Sequence, residues 1–269
     1  MKVIKHNVAE ENITYAYDIL NKLRNGTRVF GKPAEGLKKT LRKLEEKKPE
    51  EDSYDSIDYN LIDPEYVSES IKLKEGIKGE TILAEYFEKI IRLDPKLSDL
   101  IVFASLGDES KEAELGYIPD TDFLCVYGNH LLAVDAKNIK TKAHSYVAVG
   151  EDGLYDVTKE EPKILIEVKP STHYWETVTT TEYKNEPITC EGCVCIVNKT
   201  GCNIVKNADW VQSDIKPIHI SELDEYLQHW VQDKEPTFDL ELLCVIGQKQ
   251  IWEERSSIDL SYGKRIFDV

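Results

Sequence analysis

Apolar residues first recur at helical spacing in Ile13, Ala16, Tyr17, Leu20 and Leu23, and Asn25-Gly26 closes that run. A second helical pattern follows in Leu37, Leu41 and Leu44, studded with Lys38, Lys39, Arg42, Lys43, Lys47 and Lys48. Those cations read as a basic surface for nucleic acid or as a solvated helix face, and charge runs of this kind favour the solvated face. Residues 49–69 are acidic and irregular and read as a linker. From Gly76 the pattern changes. Ile77, Ile82, Leu83, Tyr86, Phe87, Ile90 and Ile91 make an amphipathic helix that Asp94-Pro95 ends.

Short apolar runs come next and read as strands over 100–105, 122–127, 130–136, 163–169, 193–198 and about 216–220. A helix is expected from Ser221, because Ser221-Glu222-Leu223-Asp224 has the form of a capping box. In the last stretch Leu240, Leu242, Cys244 and Ile246 alternate with other residues, which suggests an edge strand or hairpin. Helix, several strands, then helix predicts one α/β domain over 71–235, a mixed central sheet flanked by helices. Residues 1–70 are expected as a helical N-terminal extension and linker, and 236–269 as a C-terminal extension added to the sheet.

The most informative segment runs from Asp120-Thr121-Asp122 through Gly128-Asn129 to Asp135-Ala136-Lys137-Asn138. Gly-Asn between two strand-like runs fits a two-residue hairpin loop of type II′ or I′. With those two residues in the turn, Tyr127 faces His130, Asp122 faces Asp135 and Asp120 faces Lys137. Side chains alternate with period two, so the three aspartates and the lysine share a face. Like charges directly opposite one another in a hairpin are destabilising and call for a partner. Lysine supplies part of the compensation, and a hard divalent cation held by carboxylate oxygens supplies it better.

Bulk properties narrow the reading little. The chain has 269 residues, 41% hydrophobic, enough for one substantial core. The net charge of -16 speaks against a protein that coats nucleic acid, but a local basic stripe suffices to bind a phosphate backbone. No membrane span or signal-peptide pattern is read, so a cytoplasmic protein without a membrane partner is expected. Cys125, Cys190, Cys193, Cys195, Cys202 and Cys244 are expected to be reduced.

An acid on a helix, then an aspartate, then a hairpin to (D/E)xK resembles the PD-(D/E)xK nuclease superfamily, whose core is restriction-endonuclease-like. Gly79-Glu80, Asp120-Thr121-Asp122 and Asp135-Ala136-Lys137-Asn138 look more narrowly like the nuclease-related domain NERD. The runs from Cys193 to Asn198 and from Pro217 to Leu223 are similar to that domain's closing strands and helix. The resemblance covers residues 76–230. It implies a Mg²⁺-dependent (or Mn²⁺-dependent) phosphodiesterase, an endonuclease among the candidates, with DNA expected ahead of RNA. Glu80, Asp122, Asp135 and Lys137 would be catalytic. Glu80, Asp122, Asp135 and the Ala136 carbonyl would hold the metal. Lys137 would orient or activate water, Asn138 and Lys140 would touch substrate, and Asp120 would support Lys137.

Other readings stay open. A bare (D/E)xK tripeptide is weak, with about six matches expected by chance in so charged a chain. Glu167-Val168-Lys169 is a rival strand-borne match, with Asp152 or Asp156 upstream, or simply a strand's solvent face. Cys190, Cys193, Cys195 and Cys202 could form a zinc site, but the alternation around Cys193 reads as buried strand. His173-Tyr174-Trp175 would stack on bases or, as the plainer reading, pack against the sheet. Finally, the fold could serve as a binding module with weak or absent catalysis, a homo-oligomer or a protein partner then supplying the function.

Overall fold

A computed structural model describes residues 2–4, 8, 10–31, 38–39, 42, 64–108, 120–139, 145–150, 153–168, 171–183, 188–197, 203–205 and 215–250. The architecture is α/β: a mixed six-stranded sheet, a second four-stranded sheet, and five α-helices among the described residues. The large sheet is built from β2 (Val29–Phe30), β3 (Ile101–Gly107), β4 (Asp120–Tyr127), β5 (His130–Lys137), β9 (Cys190–Ile196) and β11 (Ile215–His219). Its spatial order is β11-β9-β5-β4-β3-β2. The strands β3, β4 and β5 form an antiparallel meander, and β2, β9 and β11 join it in parallel pairings. The small sheet takes β6 (Tyr146–Val149), β7 (Gly153–Asp156), β8 (Lys163–Glu167) and β10 (Asn203–Ile204) in the order β10-β6-β7-β8. A parallel pair joins β1 (Lys2–Ile4) to β12 (Thr237–Asp239).

Period-two alternation sends each strand of the large sheet into two cores. On one face Phe123, Cys125, Leu132, Val134, Cys193 and Cys195 pack under α2 (Pro64–Leu93) and α4 (Leu223–Val231). On the other, Phe103, Leu124, Leu131 and Ala133 meet α1 (Ile13–Arg24), α3 (Thr172–Val178) and α5 (Leu240–Gly247). Val194 and Ile196 of β9 instead carry the small sheet through Val147, Val149 and Leu154. Fully buried Phe87 and Phe123 pack with tilted rings whose centroids are 5.3 Å apart, and each such side chain contributes roughly 1.5–3 kcal/mol of burial.

Local signals account for several element ends. α1 stops as expected: Gly26 takes φ 85°, and the Gly26 and Thr27 amides donate to Leu23 and Lys22 carbonyls. The Asp94 carboxylate caps the turn after α2 by accepting the Lys96 amide at 2.8 Å. The hairpin has the expected two-residue loop. Gly128 has φ 59° and Asn129 is not left-handed, which selects type II′. A side chain at Gly128 would also strike the Glu235 carbonyl.

The helix α2 begins at Pro64, upstream of residue 71, and Ala16, Ile19, Leu20 and Leu23 of α1 pack in a core shared with the large sheet. Other expectations are corrected. Leu240, Leu242, Cys244 and Ile246 belong to a helix, because Leu243 and Val245 between them are buried too and Asp239 caps the segment. Ser221 is not a helix cap. Residues Ile220–Glu222 form a 3₁₀ turn, and His219 Nδ1 accepts the Ser221 amide. Most of the helical pattern around Leu37, Leu41 and Leu44 lies outside the described residues. Within them, Lys38 forms an ion pair with Glu85 of α2. Among the described residues no helix is long and apolar enough to cross a membrane.

Candidate active site at the end of the hairpin

The β4–β5 ladder runs from Tyr127/His130 to Phe123/Val134 and stops there. Asp122 and Asp135 follow on the two strands, just past the last paired residues. Beyond Val134 the strands part, and the Asp122 carboxylate fills the gap. Its Oδ2 accepts the Ala136 amide at 2.7 Å, in place of a main-chain partner. A strand residue's N–H and C=O leave on the same side, so the Ala136 carbonyl also turns toward β4. The Lys137 carbonyl turns the other way and accepts the Val197 amide at 2.9 Å.

Lys137 Nζ lies 2.6 Å from Asp135 Oδ1. Burial alone would lower the Lys137 pKa, but Asp135, Asp122 and Asp120 outweigh it and hold the ammonium above its ordinary value. Asp122 shows the opposite balance. Burial first, then the charges of Glu80 and Asp135, push its carboxyl well above the usual range, against the pull of Lys137. Asp122 thus feels two carboxylates and one lysine in a half-dry place.

Glu80 reaches this group from α2. Gly79 lets the helix come close, since a Cβ there would sit 2.9 Å from Asn138 Cβ. Asn138 Nδ2 then donates to the Glu75 carbonyl and to Glu75 Oε2, both at 3.0 Å. In this arrangement Asn138 pins α2 to the end of β5. Lys140, expected at the substrate, lies outside the described residues, as does Lys169 of the rival match. Glu167 closes the edge strand of the small sheet.

A cleft of about 230 Å³ opens at this point. Asp120, Asp122, Asp135 and Lys137 line it, with Ser171 and Thr172 at the start of α3 across from them. Sequence reasoning did not assign those last two residues. Their signal was available in Ser-Thr standing before an apolar helix turn. Thr121 was also missed. Its Oγ1 accepts the indole N–H of fully buried Trp175 at 2.8 Å and ties β4 to α3. Tyr174 and Trp175 are core residues, packing against the sheet.

The donors suit a hard divalent cation: carboxylate oxygens of Glu80, Asp122 and Asp135, with the Ala136 carbonyl beside them. The raised pKa of Asp122 beside Glu80 and Asp135 favours such an ion. Among the described residues no three His, Cys, Asp or Glu side chains stand together as a ready-made cage. An ion shared by Asp122 and Asp135 must also compete with Lys137 for Asp135. The zinc alternative finds less in its favour. Cys190, Cys193 and Cys195 are buried, burial raises each thiol pKa (Cys190 to about 12), and Cys202 lies outside the described residues.

Against family models, curated proteins and solved structures, the chain matches none.

Proposed function

We propose that the chain is a metal-dependent nuclease with a restriction-endonuclease-like core, hydrolysing phosphodiester bonds of DNA. The observation that carries this reading is the gap at the end of the hairpin. There Asp122, Asp135 and Lys137 line an open cleft, and the charge of Glu80 reaches Asp122 from α2. Glu80, Asp122, Asp135 and the Ala136 carbonyl would hold Mg²⁺ or Mn²⁺. Bound there, the ion would supply an activated water and stabilise charge on the phosphoryl oxygens.

The chain's own groups divide the remaining work. Lys137 is held as a cation, so it donates to a water or phosphate oxygen and does not accept a proton while Asp135 and Asp122 keep it charged. The Ala136 amide fixes one Asp122 oxygen, and a side-chain hydrogen bond links Asp122 to Asp135. Asn138 sets the height of Glu80 by clamping α2, and it would reach a phosphate only by leaving Glu75. Lys140 is assigned to substrate on the sequence alone.

Cleavage of plasmid and single-stranded DNA with Mg²⁺ or Mn²⁺, wild type against Asp135→Ala, tests the proposal. Metal-dependent cutting that disappears in the variant supports it. A folded wild type that cuts neither DNA nor RNA overturns it. The short Lys137–Asp135 ion pair would then favour the second reading, a nuclease fold that binds a partner without catalysis.

A further inference from the structure

Ser105 is the single non-glycine residue with positive φ among those described, at 55°, and it is buried. It lies in mid-strand, where an L-residue seldom takes this conformation. Its place is specific. In the β3–β4 ladder Ala104 pairs with Phe123 and Leu106 with Thr121, so Ser105 stands opposite Asp122.

The strand changes face there. Ile101 and Phe103 belong to the α1 side and Val102 and Ala104 to the α2 side, yet Leu106 returns to the α1 side, where regular alternation would put it under α2. Its neighbour β4 turns with it: Phe123 packs under α2, whereas Thr121, two residues away, bonds Trp175 on the other side. Meanwhile β5 keeps its alternation through Val134 and Ala136. A strand that rotates beside one that does not must part from it, and the β4–β5 pairing ends at that level.

We infer that the left-handed backbone at Ser105 is the device that opens β4 from β5 and thereby aims the Asp122 carboxylate at the Ala136 amide. Ser105 is a positioning residue, and its bearing on metal binding rests on the nuclease reading. The surroundings hold the kink on both flanks. Gly31 presses on Ala104, since a Cβ there would lie 2.5 Å from the Ala104 carbonyl. The Gly107 amide donates to the Lys249 carbonyl at 2.7 Å, and Gln250 bridges Leu106. Strain in a strand persists where neighbours over-determine it.

The test compares Ser105→Gly, Ser105→Ala and Ser105→Val in the full chain. Gly and Ala both lack the hydroxyl, but only Gly accepts positive φ freely. One readout needs no metal: the NMR shift of the Ala136 amide proton, moved downfield by a carboxylate acceptor. The other is Mn²⁺ affinity by calorimetry. Gly and Ala should keep both, with affinity within about twofold of wild type, since alanine carries the same Cβ as serine. Val should weaken binding by about tenfold or more and lose the downfield shift. If Val does not fold, Gly and Ala still decide, because loss of the shift in both would assign the role to the hydroxyl and overturn the inference. All three keeping the Ala136 shift would overturn it too. A wild type without Mn²⁺ affinity whose Ala136 shift follows the backbone series removes the nuclease reading and leaves the positioning role supported.

Discussion

Two charged clusters sit at opposite ends of the β5–β9 pair, and their balances differ. At the hairpin-turn end a single carboxylate, Glu191, is surrounded by donors. It accepts the Trp230 indole N–H at 2.7 Å and meets Lys216 at 3.4 Å and Lys234 at 3.6 Å. Burial works against its charge, but Trp230, Lys234 and Lys216 prevail and hold its pKa below the ordinary value. At the cleft end the Asp122 carboxyl is pushed up by burial, Glu80 and Asp135, against Lys137 and the Ala136 amide. The first cluster is complete in itself and fastens α4 to the sheet. The second gathers its carboxyls along a cleft. Acidic residues alone do not mark a site; a carboxyl held above its ordinary pKa in a cleft does so better.

The widest separation is expected in cleavage. Asp135→Ala or Lys137→Ala should reduce metal-dependent DNA cutting by at least about 100-fold, while Glu191→Ala stays within about twofold of wild type. Equal losses from both ends would erase the distinction. In stability the order reverses. Glu191→Ala strands the Trp230 N–H and should cost about 1–2 kcal/mol in a denaturant titration, most of it from that hydrogen bond, because the lysine pairs are partly exposed.

Asp122→Asn gives a subtler contrast. A carboxyl whose folded pKa is raised favours the fold while protonated, and that contribution is lost as pH climbs from the ordinary carboxylate range through the folded value. The variant should therefore unfold at a higher temperature than wild type at neutral pH and show no advantage near about pH 3. A variant less stable at neutral pH would mean that Asp122 is compensated after all.

The smallest effect lies beside Glu191. Burial first, then Lys234, lowers the His130 pKa below 6.5, with Glu191 opposing. An NMR titration should place His130 below that value, and Lys234→Met should move its midpoint upward. An unmoved midpoint would show that Lys234 does not reach it.

Much of the site was legible because a two-residue turn fixes register. Gly128-Asn129 was enough to pair Tyr127 with His130 and so set the strands that carry Asp122 and Asp135. Strand alternation likewise identified Cys193 and Cys195 as core residues. What escaped had physical reasons. The first turns of α2 mix Glu65, Glu69, Lys72 and Lys74 with Tyr66, Val67, Ile71 and Leu73, and the charges made the segment up to residue 69 read as a linker. The apolar segment of α5 is buried all round, and so short a run fits strand and helix alike. The cap at Asp239 was the signal that would have decided it. The small sheet is made of short strands, and its edge strand β8 leaves Ile164 and Ile166 exposed, so hydrophobicity there did not mean burial. For Ser105 the sequence carried no cue, since serine in an apolar strand looks like any tolerated polar residue.

The pairing of β1 with β12 has a consequence for synthesis. Lys2–Ile4 has its strand partner at Thr237–Asp239, and Tyr15 of α1 lies against Gly247 of α5. On a ribosome the segment made first must wait for one made more than 230 residues later. The meander of β3, β4 and β5 can close on itself well before that, while α1 still lacks the surface that covers its apolar stripe. Newly made chains therefore pass through a stage in which the hairpin is set and the amino-terminal helix is unburied, the stage at which a chaperone that reads exposed leucine and isoleucine would find it.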